Sequence, residues 1–214
     1  MDQLTPGGYR LIDMPNPFGG DIYHTPATGS TMEDAARLVG SAGEGGNDRG
    51  SREREGTVLS AGFQERGIGR IAGRVWHSPP GENLLFSLLL SEGDVRFPVT
   101  LLPLAAAAGL ARFVEQELDL EARIKWPNDL LISGRKCAGI LSRRSRGWVI
   151  IGIGLNVLQR SFPKIPGGTG ERGGTPLARE RGGGGRPPLE LLPNILKHLK
   201  ECFESEGVAE EVEG

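Results

Sequence analysis

"ARIKWPNDLLISGRKCAGILSRRSRGWVIIGIGLNV", Ala122 to Val157, breaks short apolar runs with turn residues at the pace of a β-sheet. Three candidate strands stand out: "ARIKW", "LLIS-GRK-CAGIL" folded about a Ser133-Gly134 turn, and "WVIIGIGLNV". The connections between them are too short for a crossover helix, so this part of the sheet is antiparallel. "RRSRGW", Arg143 to Trp148, reads as a solvated hairpin turn, with partner docking as the lesser reading.

Upstream, "ENLLFSLLL" has the continuous apolar character of a buried strand, and "TVLSAGFQ" reads as another, with "HSPPG" as a turn before the first. "FPVTLLPLAAAAGLARFVEQEL" is long and alanine-rich enough for a helix, with Pro98 and Pro103 near its start, where proline is tolerated. A second helix is expected at "GSTMEDAARLVG": Ser30 and Glu33, or Thr31 and Asp34, have capping-box spacing, and Met32, Ala35, Ala36 and Val39 share a face. "SAGEGGNDRGSREREG" after it predicts a mobile surface loop. The chain then divides into an N-terminal extension (1–28), a main domain (29–158), a Gly/Arg/Pro-rich linker (159–188) and an amphipathic helix (189–206). The linker cannot bury enough apolar surface to offset its ordering entropy and is expected to be disordered. Leu192, Ile195, Leu196, Leu199 and Phe203 give the last helix a face to dock on the domain.

A chain of 214 residues suits one ordinary domain. Its net charge of -2 and pI of 6.0 argue against general nucleic-acid binding, so any positive site must be local. Cys137 and Cys202 are too few and too far apart for a disulfide framework or a metal knuckle. His24, His77 and His198 are scattered, which predicts no structural zinc. The N-terminus lacks a signal-peptide pattern and no apolar run would span a bilayer, so a cytoplasmic location is expected.

One local site is visible in "QERGIGRIAGRVW", Gln64 to Trp76. Gly67, Gly69 and Ala72 spell a dinucleotide fingerprint, but Gly73, Pro79 and Pro80 interrupt the helix that such a motif must open, so the segment is a loop. Arg66, Arg70 and Arg74, spaced by glycines, offer guanidinium forks and backbone N–H groups to phosphate or carboxylate oxygens, or form a merely solvated basic loop. Trp76 is either core or a surface for a nucleobase. Lys125, between Ile124 and Trp126, is expected to be partly desolvated and held in place, and buried lysine is rare unless it meets an anion. "GIGLN" ends its strand with two glycines and Asn156, allowing close approach of a flat ligand.

In order along the chain, "GSTMEDA", "FQERGIGRIAGRVWHSPPGENLLFSLLL", "IKWPNDLLISGRKCAGIL" and "VIIGIGLNV" closely resemble the catalytic domain of biotin-protein ligases. That family's pattern is S-T, then Q-x-x-GRGR-x-GR-x-W-x-SP-x-G, KWPND, AGIL and GIGIN. The resemblance covers residues 22 to 158. It implies an α+β fold, a mixed, largely antiparallel sheet with helices packed on it, of the class II aminoacyl-tRNA synthetase and biotin ligase type. The implied chemistry joins biotin to ATP as biotinyl-5'-AMP, with Mg²⁺, and transfers biotin to a lysine of a biotin carboxyl carrier domain.

Carried over position by position, the resemblance assigns Ser30, Thr31, Met32, Gln64, Ile68, Gly69, Arg70 and Lys125 to biotin. Arg70, Arg74, Trp76, Asn128 and Asn156 fall to the nucleotide, and Lys125 with Arg70 to catalysis. Met32 stands where many members have asparagine, and Gly67-Ile68-Gly69-Arg70 replaces GRGR, with one additional residue before Gly73. Ile68 cannot donate to an anion, which predicts slower adenylation unless Arg66 compensates. No SH3-like module is expected after the catalytic domain, and no DNA-binding domain before Ser30, hence no DNA partner. A lipoate or octanoyl transferase of the same fold, or a catalytically weakened paralogue, are the alternatives; oligomeric state stays open.

Overall fold

The computed structural model describes residues 8–40, 54–70, 75–162, 174–182 and 185–205. The strands are β1 (Arg10–Ile12), β2 (Ile22–Thr25), β3 (Val58–Ala61), β4 (Asn83–Ser91), β5 (Ala122–Lys125), β6 (Asp129–Ile132), β7 (Arg135–Ser145) and β8 (Trp148–Asn156). They form one sheet in the order β1-β2-β3-β4-β8-β7-β6-β5. The β2–β3 pair is parallel, bridged by helix α1 (Thr31–Gly40); the other neighbours are antiparallel. β5 to β8 form the meander expected from their short connections. Consecutive left-handed residues make its two tight turns, Ser133-Gly134 (φ 50° and 70°) and Arg146-Gly147 (φ 50° and 77°).

Both faces of the central strands are covered, which explains the unbroken apolar run in β4. Leu84, Phe86 and Leu88 join the larger core under helices α2 (Leu102–Leu118) and α4 (Leu192–Glu204). Leu89 on β4 and Ile150 on β8 point the other way, into a smaller cluster with Met32, Ala35, Leu38 and Val39 of α1. The last helix docks as its apolar spacing predicts, and the helices approach closely: a Cβ on Gly109 would lie 3.0 Å from the Leu199 Cα.

Three expectations are corrected here. Part of the stretch 1–28 is not an appendage, because β1 and β2 extend the sheet and Ile22 is 2% exposed in the main core. Part of the expected disordered linker is ordered: Thr175 and Leu177 are buried, and a short helix α3 (Leu177–Glu180) packs beside the end of β8, where the Ala178 N–H donates to the Val157 carbonyl at 3.0 Å. The capping box at Thr31 and Asp34 does not form in that guise. Asp34 instead accepts hydrogen bonds from Tyr9 Oη (2.6 Å) and Thr28 Oγ1 (2.5 Å) and pairs with Arg37, fastening α1 to the strand side of the domain. The expected mobile loop after α1 lies mostly outside the described residues, as do linker positions 163–173 and 183–184. No described helix is long and apolar enough to cross a membrane.

Candidate functional site

The site lies on the α1 face of the sheet, where β7 and β8 run side by side in a fixed register. Gly139 pairs with Gly154 and Leu141 with Gly152, so three glycines and one leucine make a flat floor. Bulk there is excluded by what sits above it. A Cβ on Gly154 would lie 2.6 Å from Trp76 Cε2, one on Gly139 would lie 2.9 Å from Trp76 Cζ3, and one on Gly152 would lie 2.5 Å from Met32 Sδ. Of the two glycines of "GIGLN", Gly152 lies under Met32 and Gly154 under the indole of Trp76.

At one end of the floor stands a row of polar groups. The Ser87 hydroxyl donates to Thr31 Oγ1 at 2.8 Å. Thr31 donates in turn to Gln64 Oε1, from its N–H at 2.8 Å and its hydroxyl at 3.1 Å. Gln64 thus caps the first turn of α1 from another segment, a role that local spacing could not reveal. The isolated bridge Thr28↔Gln64 fixes its backbone. Ser30, Thr31 and Gln64 all line the cavity with Met32.

At the other end, beside Gly139, stands a lysine. Lys136 lines the cavity with its Nζ 2.7 Å from Asp129 Oδ1 and 5.3 Å from the centroid of the Trp76 ring, a cation–π distance. Arg70, Ile68, Gly69 and Asn128 also line the cavity. Asn128 is buried and its Nδ2 donates to the Ile140 carbonyl at 3.1 Å, which locks the turn before β6 against β7. Trp76 Nε1 is buried without a hydrogen-bond partner among the described residues, an indole donor available to a ligand. The volume enclosed is about 50 Å³, against about 300 to 1,000 Å³ for pockets that hold small molecules. Trp76 thus covers the glycine floor.

Most of the residues singled out from the sequence converge here: Ser30, Thr31, Met32, Gln64, Ile68, Gly69, Arg70, Trp76 and Asn128. Lys125 does not. It is exposed at the end of β5, the edge strand two positions from β7, so the expected desolvation is absent. Asn156 lies beside the cavity rather than on its wall, with its Nδ2 donating to the Lys136 carbonyl at 3.2 Å. Arg74 is outside the described residues. Arg66 points toward Glu33, its guanidinium 4.0 Å away, and lies close over Gly29.

Strand alternation alone would not point to Lys136. Period-two alternation counted back from Gly139 puts Cys137 and Arg135 on the cavity face and Lys136 in the core. The register shifts between Leu130 and Leu131: Leu130 pairs with Ala138 and Leu131 with Lys136, leaving Cys137 as the extra residue of a bulge. The bulge reverses the alternation, so Cys137 is buried in the core and Lys136 faces the cavity. Burial, with the nearby Glu180 charge, pushes the Cys137 thiol up, which leaves it inert as a nucleophile. No described group of three or more His, Cys, Asp or Glu is placed to hold a metal ion.

Comparison with known proteins fits this geometry. The model of the Biotin/lipoate A/B protein ligase family matches residues 47–157. The bifunctional ligase/repressor BirA of Bacillus spizizenii is 42% identical over 178 residues, covering 73% of this chain and 51% of that protein. The chain spans about half the length of the curated relatives it matches first. Among solved structures, the biotin protein ligase from Aquifex aeolicus in complex with biotin and ATP aligns at TM-score 0.67 and 28% identity, over 87% of this chain and 71% of that one. The Leishmania major biotin protein ligase in complex with biotinyl-5-AMP aligns at TM-score 0.70 and 26% identity, over 90% and 79%. With a family match over more than half its residues and the same sheet-and-helix fold as those ligases, the chain belongs to the biotin/lipoate A/B protein ligase family.

Proposed function

We propose that this protein is an ATP-dependent biotin-protein ligase, which makes biotinyl-5'-AMP and passes the biotinyl group to a lysine of a biotin carboxyl carrier domain. The observation that carries this reading is one cavity with Ser30, Thr31 and Gln64 at one end, Lys136 beside Gly139 at the other, Arg70 on its wall and a glycine floor between them. Biotin has a matching asymmetry: a ureido ring that gives and takes hydrogen bonds, an apolar body and a carboxylate tail. Hydroxyls and an amide suit the first, the glycines and Trp76 the second, and the cations the third.

The chemistry explains why two cations are needed. A biotin carboxylate oxygen attacks the α-phosphorus of ATP, the bond from that phosphorus to the bridging oxygen breaks, and pyrophosphate leaves. Nucleophile and electrophile are both anionic, so fixed positive charge must offset their repulsion, and in a partly desolvated site it does so more strongly than in water. In the second step the neutral amine of the carrier lysine attacks the anhydride carbonyl carbon. An amide forms, AMP departs with the electron pair of the broken C–O bond, and the amine proton passes to solvent. Trp76, over the glycine floor, shields the anhydride from water. Mg²⁺ would enter this scheme with the nucleotide, where it would offset phosphate charge.

Lys136, rather than Lys125, is the cation assigned to the carboxylate and the reacting phosphate. Arg70 shares that load, and Asn128 and Trp76 border the nucleotide. The relatives solved with biotin and ATP, and with biotinyl-5-AMP, support the same pair of substrates here. Purified protein with ATP, Mg²⁺ and biotin is expected to release pyrophosphate only when biotin is present. Mass analysis of an acceptor domain is expected to show biotin and not lipoate attached. Release that ignores biotin, or labelling by lipoate alone, would overturn the assignment.

A further inference from the structure

Lys136 pairs with Leu131 of β6, but on its other side β7 runs past the pairing with β8, which starts at Ala138, and there the structure holds it by other means. The Lys136 carbonyl accepts the Thr175 N–H at 2.9 Å and Asn156 Nδ2–H at 3.2 Å. Thr175 leads into α3, and Glu180 at the end of that helix closes the assembly. Glu180 Oε1 accepts from Thr175 Oγ1 and from Arg135 Nη2, each at 2.5 Å, and Oε2 accepts from Ser133 Oγ at 2.7 Å. Ser133 sits in the turn that enters β7, and Arg135 is the residue before Lys136. One carboxylate, with its side chain 9% exposed, thereby ties together the turn, the strand start and the segment whose N–H grips the Lys136 carbonyl. Thr175 is fully buried, so solvent does not compete for its contacts.

We propose that Glu180, acting with Thr175, is a positioning residue for adenylation: it sets where the Lys136 ammonium stands and does not touch substrate. Neither Glu180 nor Thr175 lines the cavity, so their influence passes through the backbone of Arg135 and Lys136. A reacting group must be held to within about 0.5 Å, and a misplacement of about 1 Å costs on the order of 100-fold in rate. At that point β7 has no β8 partner across from it, and Thr175, just ahead of α3, supplies a hydrogen bond in its place together with Asn156. This inference rests on Lys136 being the cation of the adenylation site.

The test is biotin-dependent ATP–pyrophosphate exchange on the whole chain. Glu180→Gln and Thr175→Val are each expected to lower kcat roughly 10- to 100-fold, with the KM for ATP changed less than about threefold. Thr175→Ser, which keeps the hydroxyl, is expected to restore near wild-type kcat. In a Lys136→Ala background, Glu180→Gln is expected to add less than about a twofold further loss, because the group it positions is already gone. A staple that merely holds the fold would lower both backgrounds by the same factor and would show in the melting temperature, which is measured beside the rates. Equal losses in the two backgrounds, or a Glu180→Gln kcat within about twofold of wild type, would overturn the proposal. Wild-type protein without biotin-dependent exchange would instead overturn the ligase reading, and this inference with it.

Discussion

Replacing Lys136 by alanine is the sharpest trial of the site, because a second lysine eleven positions earlier, in the more conspicuous motif, serves as its control. At an effective dielectric of about 20, a cation and an anion about 4 Å apart attract by about 4 kcal/mol. Lys136 keeps 38% of its side chain exposed, which screens roughly half of that. The substitution also strands Asp129, whose carboxylate is 2.7 Å from the ammonium and would face incoming anions uncompensated. Adding on the order of 1 kcal/mol for that repulsion gives about 3 kcal/mol, or roughly 100-fold in the rate of biotinyl-5'-AMP formation. Lys125, exposed on the edge strand, is expected to cost less than about threefold when replaced. The assay is biotin-dependent pyrophosphate release under single-turnover conditions, with both variants at one pH. A Lys136→Ala rate near wild type, or a Lys125→Ala loss as large as that of Lys136→Ala, would refute the placement of the reacting cation.

Other outcomes follow from the same geometry. Gly154→Ala puts a methyl 2.6 Å from the Trp76 ring, so the indole must slide; because it lies on a loop, melting should change little while the KM for biotin rises on the order of tenfold. Ile68→Arg returns a charge-assisted donor to the cavity wall and should speed adenylation roughly 10-fold, measured by pyrophosphate release; an unchanged or lower rate would dismiss Ile68 as the weak point. Stability should fall in acid through Glu180. Burial alone would raise its carboxyl, but hydrogen bonds from Thr175 and Ser133 and the Arg135 charge outweigh it and hold the group below the ordinary 4.5. A depressed carboxylate contributes stability above its unfolded value and loses it as pH drops through the folded one. The melting difference between wild type and Glu180→Gln should therefore be full near neutrality and shrink as pH falls below about 4.5; a gap that stays constant down to pH 3 would contradict it.

Local pattern determined the elements and much of the site's membership. Apolar runs broken by Ser133-Gly134 and Arg146-Gly147 specify the meander, because left-handed pairs leave a chain little choice but to turn back on itself. The glycines of β8 and the polar start of α1 were legible for a similar reason: close approach and helix ends leave compositional marks within a few residues. The tertiary structure decided which lysine faces the cavity. A bulge at Cys137 inverts the side-chain alternation of β7, and nothing in the run of residue types says where pairing with β6 slips. It also decided that β1, β2 and α3 belong to the body of the domain, since short or glycine-rich segments are ordered by partners remote in sequence: β3 for β2, and Lys136 and Val157 for the segment around α3. Propensity acts over a few neighbours, whereas the register of a sheet and the grip on a carbonyl are settled only where distant strands meet.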